Sequence, residues 1–432
     1  MTDTPASPLP VNRRGFLESS ARHAVRVAAG VGVAAGAAQA ATQDLAGLLN
    51  DQPVGVAVVG LRQRGHQLAT ELARLSACRI VSVCDLDLAL AQRTAAAVQA
   101  ARSDSPAPLT TQSLTDCLRD PAVEAVLIAT PDHWHFLHAA AVLNSGKDLY
   151  LEPPVTHTLG ESRELTELAQ TTGRVIQVGL QQRSGDHFQS AVQFLRDGKL
   201  GPVHLAKAWA VHQRKGIGRG ATQSPPTGLD YEQWLGPATH RPFQPNRFHH
   251  HWRWFWDYGS GELGNWGVHL LDVAAWGLGV GLPWQVSAAG GRYTIHDDQE
   301  TPDTLQVTYS YPQQTIVWEH RQWSSQAPEG RSAAVSFHGE LGTLIVDRGG
   351  WKVYGQAGQV SQPQNEPTQA HLLDFLQAVR TRRPPVAALE TALVSSTLCH
   401  LGNAAYRLGR PLHFDPASGQ CIRDPEANRL LT

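Results

Sequence analysis

The stretch Val54-Gly55-Val56-Ala57-Val58-Val59-Gly60-Leu61-Arg62-Gln63-Arg64-Gly65 decides the reading of the chain. Its first six residues are apolar or small, as in a strand buried on both faces. Leu68, Leu72 and Leu75 follow at helical spacing. Gly60 and Gly65 occupy the first and third glycine positions of a dinucleotide loop, and Arg62 stands at the middle one. Glycines in such a loop make the tight turn, admit the pyrophosphate to the backbone and let the helix pack on the strand. The helix N-terminus adds free N–H groups and a positive dipole end. Leu61 belongs to this loop, and Arg62 or Arg64 is placed to pair with the pyrophosphate. Asp85 ends the second strand, Ile80–Cys84. An acid there accepts from the ribose 2′-OH and repels a 2′-phosphate, so NAD is expected rather than NADP. The alternative is a Rossmann-like fold that binds no nucleotide. No Lys-Ser/Thr follows the second glycine, which excludes a Walker loop.

Outward from this stretch, strands and helices alternate. An Ala-rich helix covers Leu86–Ala101, Ala125–Ala129 is a buried strand, and a helix follows over His133–Asn144. Asp148–Leu151 and Val175–Val178 complete the strand series, with a helix near Glu161–Thr171. Continuous apolar strands alternating with helices predict a doubly wound parallel sheet. After Gly179 the character changes. Val203–His212 reads as a strand, and an irregular stretch rich in Gly, Pro and aromatics runs to Tyr258. Leu305, Val307, Tyr309 and Tyr311 then alternate with polar residues, Pro312-Gln313 turns the chain, and Ile316, Trp318 and His320 alternate again. That is an antiparallel hairpin with one buried face. Short strands follow at Val335–Phe337, Thr343–Val346 and Trp351–Tyr354. Two tail helices lie within 368–409, closed by Gly409. The expected fold is α/β: a Rossmann domain over 54–178, then an α+β domain over 179–432 with a mostly antiparallel open sheet.

The N-terminus reads as an export signal over 1–40, with a linker over 41–53. Arg13-Arg14-Gly15-Phe16-Leu17 resembles a twin-arginine signal, and a short apolar run, Val27–Ala38, follows. Ala38-Gln39-Ala40 places small residues for cleavage after Ala40, so a periplasmic or otherwise exported location is expected. That run of about 12 residues is too short to span a membrane. A net charge of −2, from 36 Lys+Arg against 38 Asp+Glu, gives no global bias toward nucleic acid. With 42% hydrophobic and 17% charged residues the chain is globular. Five cysteines do not make a disulfide scaffold; they are expected buried, free and inert.

Several segments resemble the Gfo/Idh/MocA oxidoreductases. They are Ala129-Thr130-Pro131-Asp132-His133-Trp134-His135, Gly146 through Glu152-Pro153-Pro154, Val178 through Arg183, Phe248 through Asp272, and Cys399-His400-Leu401-Gly402-Asn403. The last three resemble the exported, twin-arginine branch. The resemblance implies NAD(P) chemistry on sugar-like alcohols, with Thr130, Pro131, His135 and Glu152 joining the cofactor site. It also implies a second sheet that serves substrate and homo-oligomer contacts, and the twin-arginine translocase as a partner during export. Two departures stand out. The family's Glu-Lys-Pro is here Glu152-Pro153-Pro154, and proline has no proton to give. The family's Asp four residues before His is here Asn265, which does not ionise.

Of the family's proton-handling groups, only His269 is present, either as a general base or as a core histidine satisfied by Asp272 one turn on. Asn265 and Asp272 flank it as candidate substrate ligands. Trp252, Trp254, Trp256 and Tyr258, with Arg253 and Asp257, either wall a carbohydrate pocket or belong to the core. Arg183, at a carboxyl strand edge, either binds substrate or closes a salt bridge. His249-His250-His251 has no acidic partner at ligand spacing, so no metal is expected. The function expected is hydride transfer on a sugar with tightly bound cofactor. The alternatives are NAD-dependent glycoside cleavage through transient oxidation, or an inactive sugar- or cofactor-binding protein.

Overall fold

The computed structural model describes residues 53–355 and 359–432. The expected signal and nearly all of its linker lie outside the described residues. Six strands form a parallel sheet: β1 (Val54–Val59), β2 (Cys78–Cys84), β3 (Leu109–Thr111), β4 (Ala125–Ile128), β5 (Asp148–Leu151) and β6 (Ile176–Val178). Their order across the sheet is β3-β2-β1-β4-β5-β6. Every residue of β1, β4, β5 and β6 is buried, which is why β1 and β4 read as unbroken apolar runs rather than alternating ones. The connecting helices are α1 (Gln63–Ala73), α2 (Leu88–Ala101), α3 (Leu114–Arg119), α4 (Asp132–Asn144) and α5 (Leu159–Thr172). The strand order reverses between β1 and β4. The crevice beyond their carboxyl ends is where ligands of doubly wound sheets bind. The short β3 and α3 carry too few residues to show a period, and the sequence reading did not include them.

The second half builds a ten-stranded sheet on β7 (Val203–Val211), β8 (Gln285–Gly291), β9 (Thr304–Ser310), β10 (Thr315–Arg321), β11 (Ala333–Gly339), β12 (Gly342–Asp347), β13 (Gly350–Tyr354), β14 (Val360–Ser361), β15 (Leu412–Asp415) and β16 (Gln420–Cys421). Only β7 and β10 pair in parallel; the other pairings are antiparallel. In the β9–β10 hairpin Tyr309 faces Ile316 and Val307 faces Trp318, and this face is buried. A fully buried side chain of this size contributes about 1.5–3 kcal/mol. The helices of this half are α6 (Asp186–Arg196), α7 (Tyr231–Leu235), α8 (Val268–Leu278), α9 (Pro367–Thr381), α10 (Leu389–Leu408) and α11 (Pro425–Leu431). Leu271 of α8 and Leu398 and Leu401 of α10 share one core with the hairpin face.

The tail also ties the two sheets together. Val155 donates to Ser396 Oγ at 3.1 Å, and Gln177 Nε2 donates to the His371 carbonyl at 2.8 Å. The cleft between the halves is therefore held by covalently distant elements. All five cysteines are buried and free, and burial pushes the Cys78 thiol up to about 12. Among the described residues no helix is long and apolar enough to cross a membrane.

Candidate functional site

The β1–α1 turn has the shape a dinucleotide requires. Gly60 has φ +83°, and a Cβ there would meet the Ala129 carbonyl at 2.7 Å. A Cβ on Gly65 would lie 1.8 Å from the Gly60 oxygen, so the helix packs on the turn only without a side chain. Arg62, in the middle position, has φ −66°, a value that needs no glycine. Asp85 holds the turn from the neighbouring strand, accepting from Leu61 N at 2.6 Å and from Asp87 N at 2.9 Å. Beside it a pocket is lined by Gly60, Asp85, Pro131, Trp134, Trp234 and Phe248. The residues present thus fit an adenosine: a carboxylate at the ribose position and an aromatic slot for the base. Trp234 and Phe248 come from the irregular stretch, whose lack of periodicity hid this role.

A second cavity, of about 380 Å³, continues from Arg62 toward the second sheet. His269 faces it from the first turn of α8, just after a π-helical turn over Leu263–Gly267 that carries Asn265. Such turns frequently mark functional sites. His269 Nδ1 is buried with no hydrogen-bond partner among the described residues. Burial, then the charges of Arg348, Arg64 and His371, hold its pKa well below the usual histidine value, so the ring is neutral. Asn265 Nδ2 donates to Glu262 at 3.2 Å. Glu262 is paired with Arg214 at 2.7 Å. Burial alone would raise the Glu262 carboxyl, but His212 and Arg214 hold it down at about 2.

Asp132 lines the same cavity, and the sequence reading had not singled it out. It is 5% exposed, and its Oδ2 accepts from Ser260 Oγ at 2.9 Å. Burial raises its pKa to about 7, against the pull of Ser260 and Arg253. The signal was present in the Thr-Pro-Asp segment, but the burial comes from residues some 130 positions away.

Residues 19–180 match the oxidoreductase family Gfo/Idh/MocA with its NAD-binding Rossmann fold, and residues 207–340 and 348–432 match the C-terminal alpha/beta domain of that family. The chain belongs to the Gfo/Idh/MocA family. Glycosyl hydrolase family 109 protein of Streptomyces coelicolor is 30% identical over 215 residues, 47% of this chain and 44% of that protein. Inositol 2-dehydrogenase of Rhodococcus jostii is 29% identical over 169 residues, 39% of this chain and 43% of that protein. The matched stretches span less than half of either relative. Aldose-aldose oxidoreductase from Caulobacter crescentus, solved with glycerol, shares the fold with a TM-score of 0.66 at 17% identity, over 84% of this chain and 100% of that one.

Within this Gfo/Idh/MocA chain, Pro153 lines the cleft where the family pattern has lysine, so the cleft has no amine at that position. Several expected contacts are placed elsewhere. Arg64 reaches Glu152 at 3.1 Å rather than standing free for a pyrophosphate. Burial would lower its pKa, but Glu152 more than offsets this and raises it. His135 faces the Pro154 carbonyl at 2.7 Å and the Thr130 carbonyl at 2.9 Å, so it joins two turns and has no nitrogen left for a cofactor. Thr130 lines both cavities. Arg183 and Asp272 face each other in a bidentate pair at 2.8 and 2.9 Å and do not line the cleft. Asp272 is therefore neither a substrate ligand nor the partner of His269.

Trp254 is 4% exposed and Tyr258 fully buried, packed with Trp234 and Phe248, so they build the core under the cleft. Asp257 pairs with Arg241, and Trp256 lies under Arg407. The indoles that do line the cleft are Trp252 and Trp266. His249 and His250 line the cleft as well, and His250 Nδ1 faces Arg253 Nη1 at 3.0 Å.

Proposed function

We propose that this chain is an NAD-dependent oxidoreductase acting on a sugar or sugar derivative, with the cofactor held at Gly60–Gly65 and Asp85. The observation that carries this is one cavity, continuous with the nucleotide turn, in which neutral His269 and near-neutral Asp132 share the wall. The chemistry supplied by a bound nicotinamide nucleotide is acceptance or return of a hydride at the substrate carbon. His269, neutral and lining the cavity, takes the hydroxyl proton. As that O–H bond breaks, its electrons form the carbonyl and the carbon releases hydride. Asp132, with a pKa of about 7, is the second group able to hold or release a proton near neutrality. Asp85 supports NAD over NADP, because a 2′-phosphate would meet its carboxylate. Homo-oligomer contacts through the second sheet and export by the twin-arginine route belong to the same proposal, on the family resemblance and on Arg13-Arg14.

A second reading, glycoside cleavage by transient oxidation, is favoured by Pro153. The missing lysine removes the amine expected of an ordinary dehydrogenase, and one relative is named as a glycosyl hydrolase. The deciding experiment is mass spectrometry of small molecules released from freshly purified protein, followed by sugar turnover with wild-type and His269→Ala chains. Bound NAD(H), and a loss of 10²–10⁴-fold in rate for the variant, are expected. NAD affinity should stay nearly unchanged, since the nucleotide turn lies elsewhere. Wild-type rates in His269→Ala would remove His269 from the mechanism. Sugar binding with no nucleotide and no turnover would make the chain a binding protein.

A further inference from the structure

We propose that the substrate carries an anionic group, a carboxylate or a phosphate on the sugar, received by the unpaired arginines of the cleft, Arg253 and Arg348. The proposal rests on the assignment of this cleft as the substrate site of an oxidoreductase, and it names the class of substrate.

Charge in the cleft does not balance. Five guanidiniums line it: Arg62, Arg64, Arg214, Arg253 and Arg348. Arg64 is paired with Glu152 and Arg214 with Glu262. Arg62 lines both cavities at the nucleotide turn, where a pyrophosphate takes its charge. Arg253 and Arg348 remain, and among the described residues neither has a carboxylate at ion-pair distance. Asp132 attracts Arg253 from farther off, but its hydrogen bond goes to Ser260, and much of it is protonated near neutrality. Arg253 is half-buried and Arg348 is exposed at the mouth of the cavity, and a neutral sugar would leave both without a counter-charge there. Burial lowers the pKa of Arg253 to about 10, and the side chain stays cationic near neutrality.

Both guanidiniums are also oriented. Arg253 lies 5.0 Å from the ring centre of Trp252, and Arg348 lies 4.8 Å from that of Trp266. Both indoles face the same cavity. Stacking on an indole fixes the guanidinium plane and leaves its N–H edge free, the geometry that matches two oxygens of a carboxylate or phosphate. Arg253 spends Nη1 on the His250 carbonyl and ring, which anchors it further and leaves its other N–H groups for a ligand. Arg348 projects from the turn between β12 and β13, whereas Arg253 comes from the irregular stretch before α8. The two guanidiniums therefore reach the cavity from different elements.

The test is titration calorimetry of the NAD-saturated full chain with D-glucuronate, D-glucose 6-phosphate and D-glucose. At least one acid should bind about tenfold or more tightly than glucose, and added salt should narrow that gap. Arg253→Gln and Arg348→Gln should each weaken acid binding by about tenfold or more. Arg348 is in an exposed turn, so its variant remains informative if Arg253→Gln does not fold. Preference for glucuronate identifies a carboxylate site, and preference for the sugar phosphate identifies a phosphate site. Glucose binding as tightly as both acids, no acid binding, or acid binding indifferent to Arg348→Gln overturns the proposal. NADH formation followed in parallel keeps the two readings apart. Arginine-dependent acid binding without turnover sinks the oxidoreductase reading alone, and oxidation of neutral sugars without acid binding sinks the anion site alone.

Discussion

Replacing Asp132 with Asn tests the acid–base reading of the cleft through stability. In the folded chain burial moves this carboxyl from 3.8 to about 7. At about 1.36 kcal/mol per tenfold change in proton affinity, that difference corresponds to roughly 4 kcal/mol. The folded carboxyl holds its proton more tightly than the unfolded one. Its contribution is therefore fully present below pH 3.8 and lost as pH rises through about 7. The buried histidines act in the opposite sense. Burial lowers His133 and His371 to about 4, so their contribution is present above 6.5 and lost as pH falls toward 4. Wild-type stability thus mixes both signs, and only the difference between wild type and Asp132→Asn isolates the carboxyl. Asn keeps an oxygen to accept from Ser260 Oγ. Urea denaturation from pH 4 to pH 8 should show the variant gaining on wild type by about 1.4 kcal/mol per pH unit, levelling off above pH 7. The pH profile of turnover should lose its limb near neutrality in the same variant. A stability difference that is flat with pH would mean that Asp132 ionises at its ordinary value, and its role as a near-neutral acid would be refuted.

Asp85→Asn should weaken NAD and improve NADP relative to it, with some loss of affinity for both, because Asp85 also holds the Leu61 N–H. An unchanged NAD/NADP ratio by calorimetry would remove Asp85 as the selector. Arg183→Ala should cost about 3–5 kcal/mol of stability in denaturant, since it leaves Asp272 buried and unpaired; an effect on substrate affinity with unchanged stability would return Arg183 to the cleft. Lysine at both Arg13 and Arg14 should leave full-length precursor inside the cell, and normal export of that variant would overturn the twin-arginine assignment.

The sequence by itself determined the parallel sheet, the nucleotide turn and the hairpin. Each is local: an unbroken apolar run such as Val54–Val59, glycines at Gly60 and Gly65, and the alternation from Leu305 to His320 are set by backbone geometry and by which face meets the core. The sequence also singled out His269 and the loss of lysine at Pro153. Tertiary structure alone decided what faces the cleft. Along the irregular stretch to Tyr258 no helical or strand period exists, so nothing in the order of residues distinguishes Trp252, which lines the cavity, from Trp254, which lies in the core beneath it. Arg183 is spent on Asp272, 89 positions away, and Asp132 owes its raised pKa to burial by the packing around it, against the pull of Ser260 and Arg253. Pairing, burial and ionisation are properties of neighbours in space. Where those neighbours come from opposite ends of the chain, they exist only once the two sheets have closed on each other.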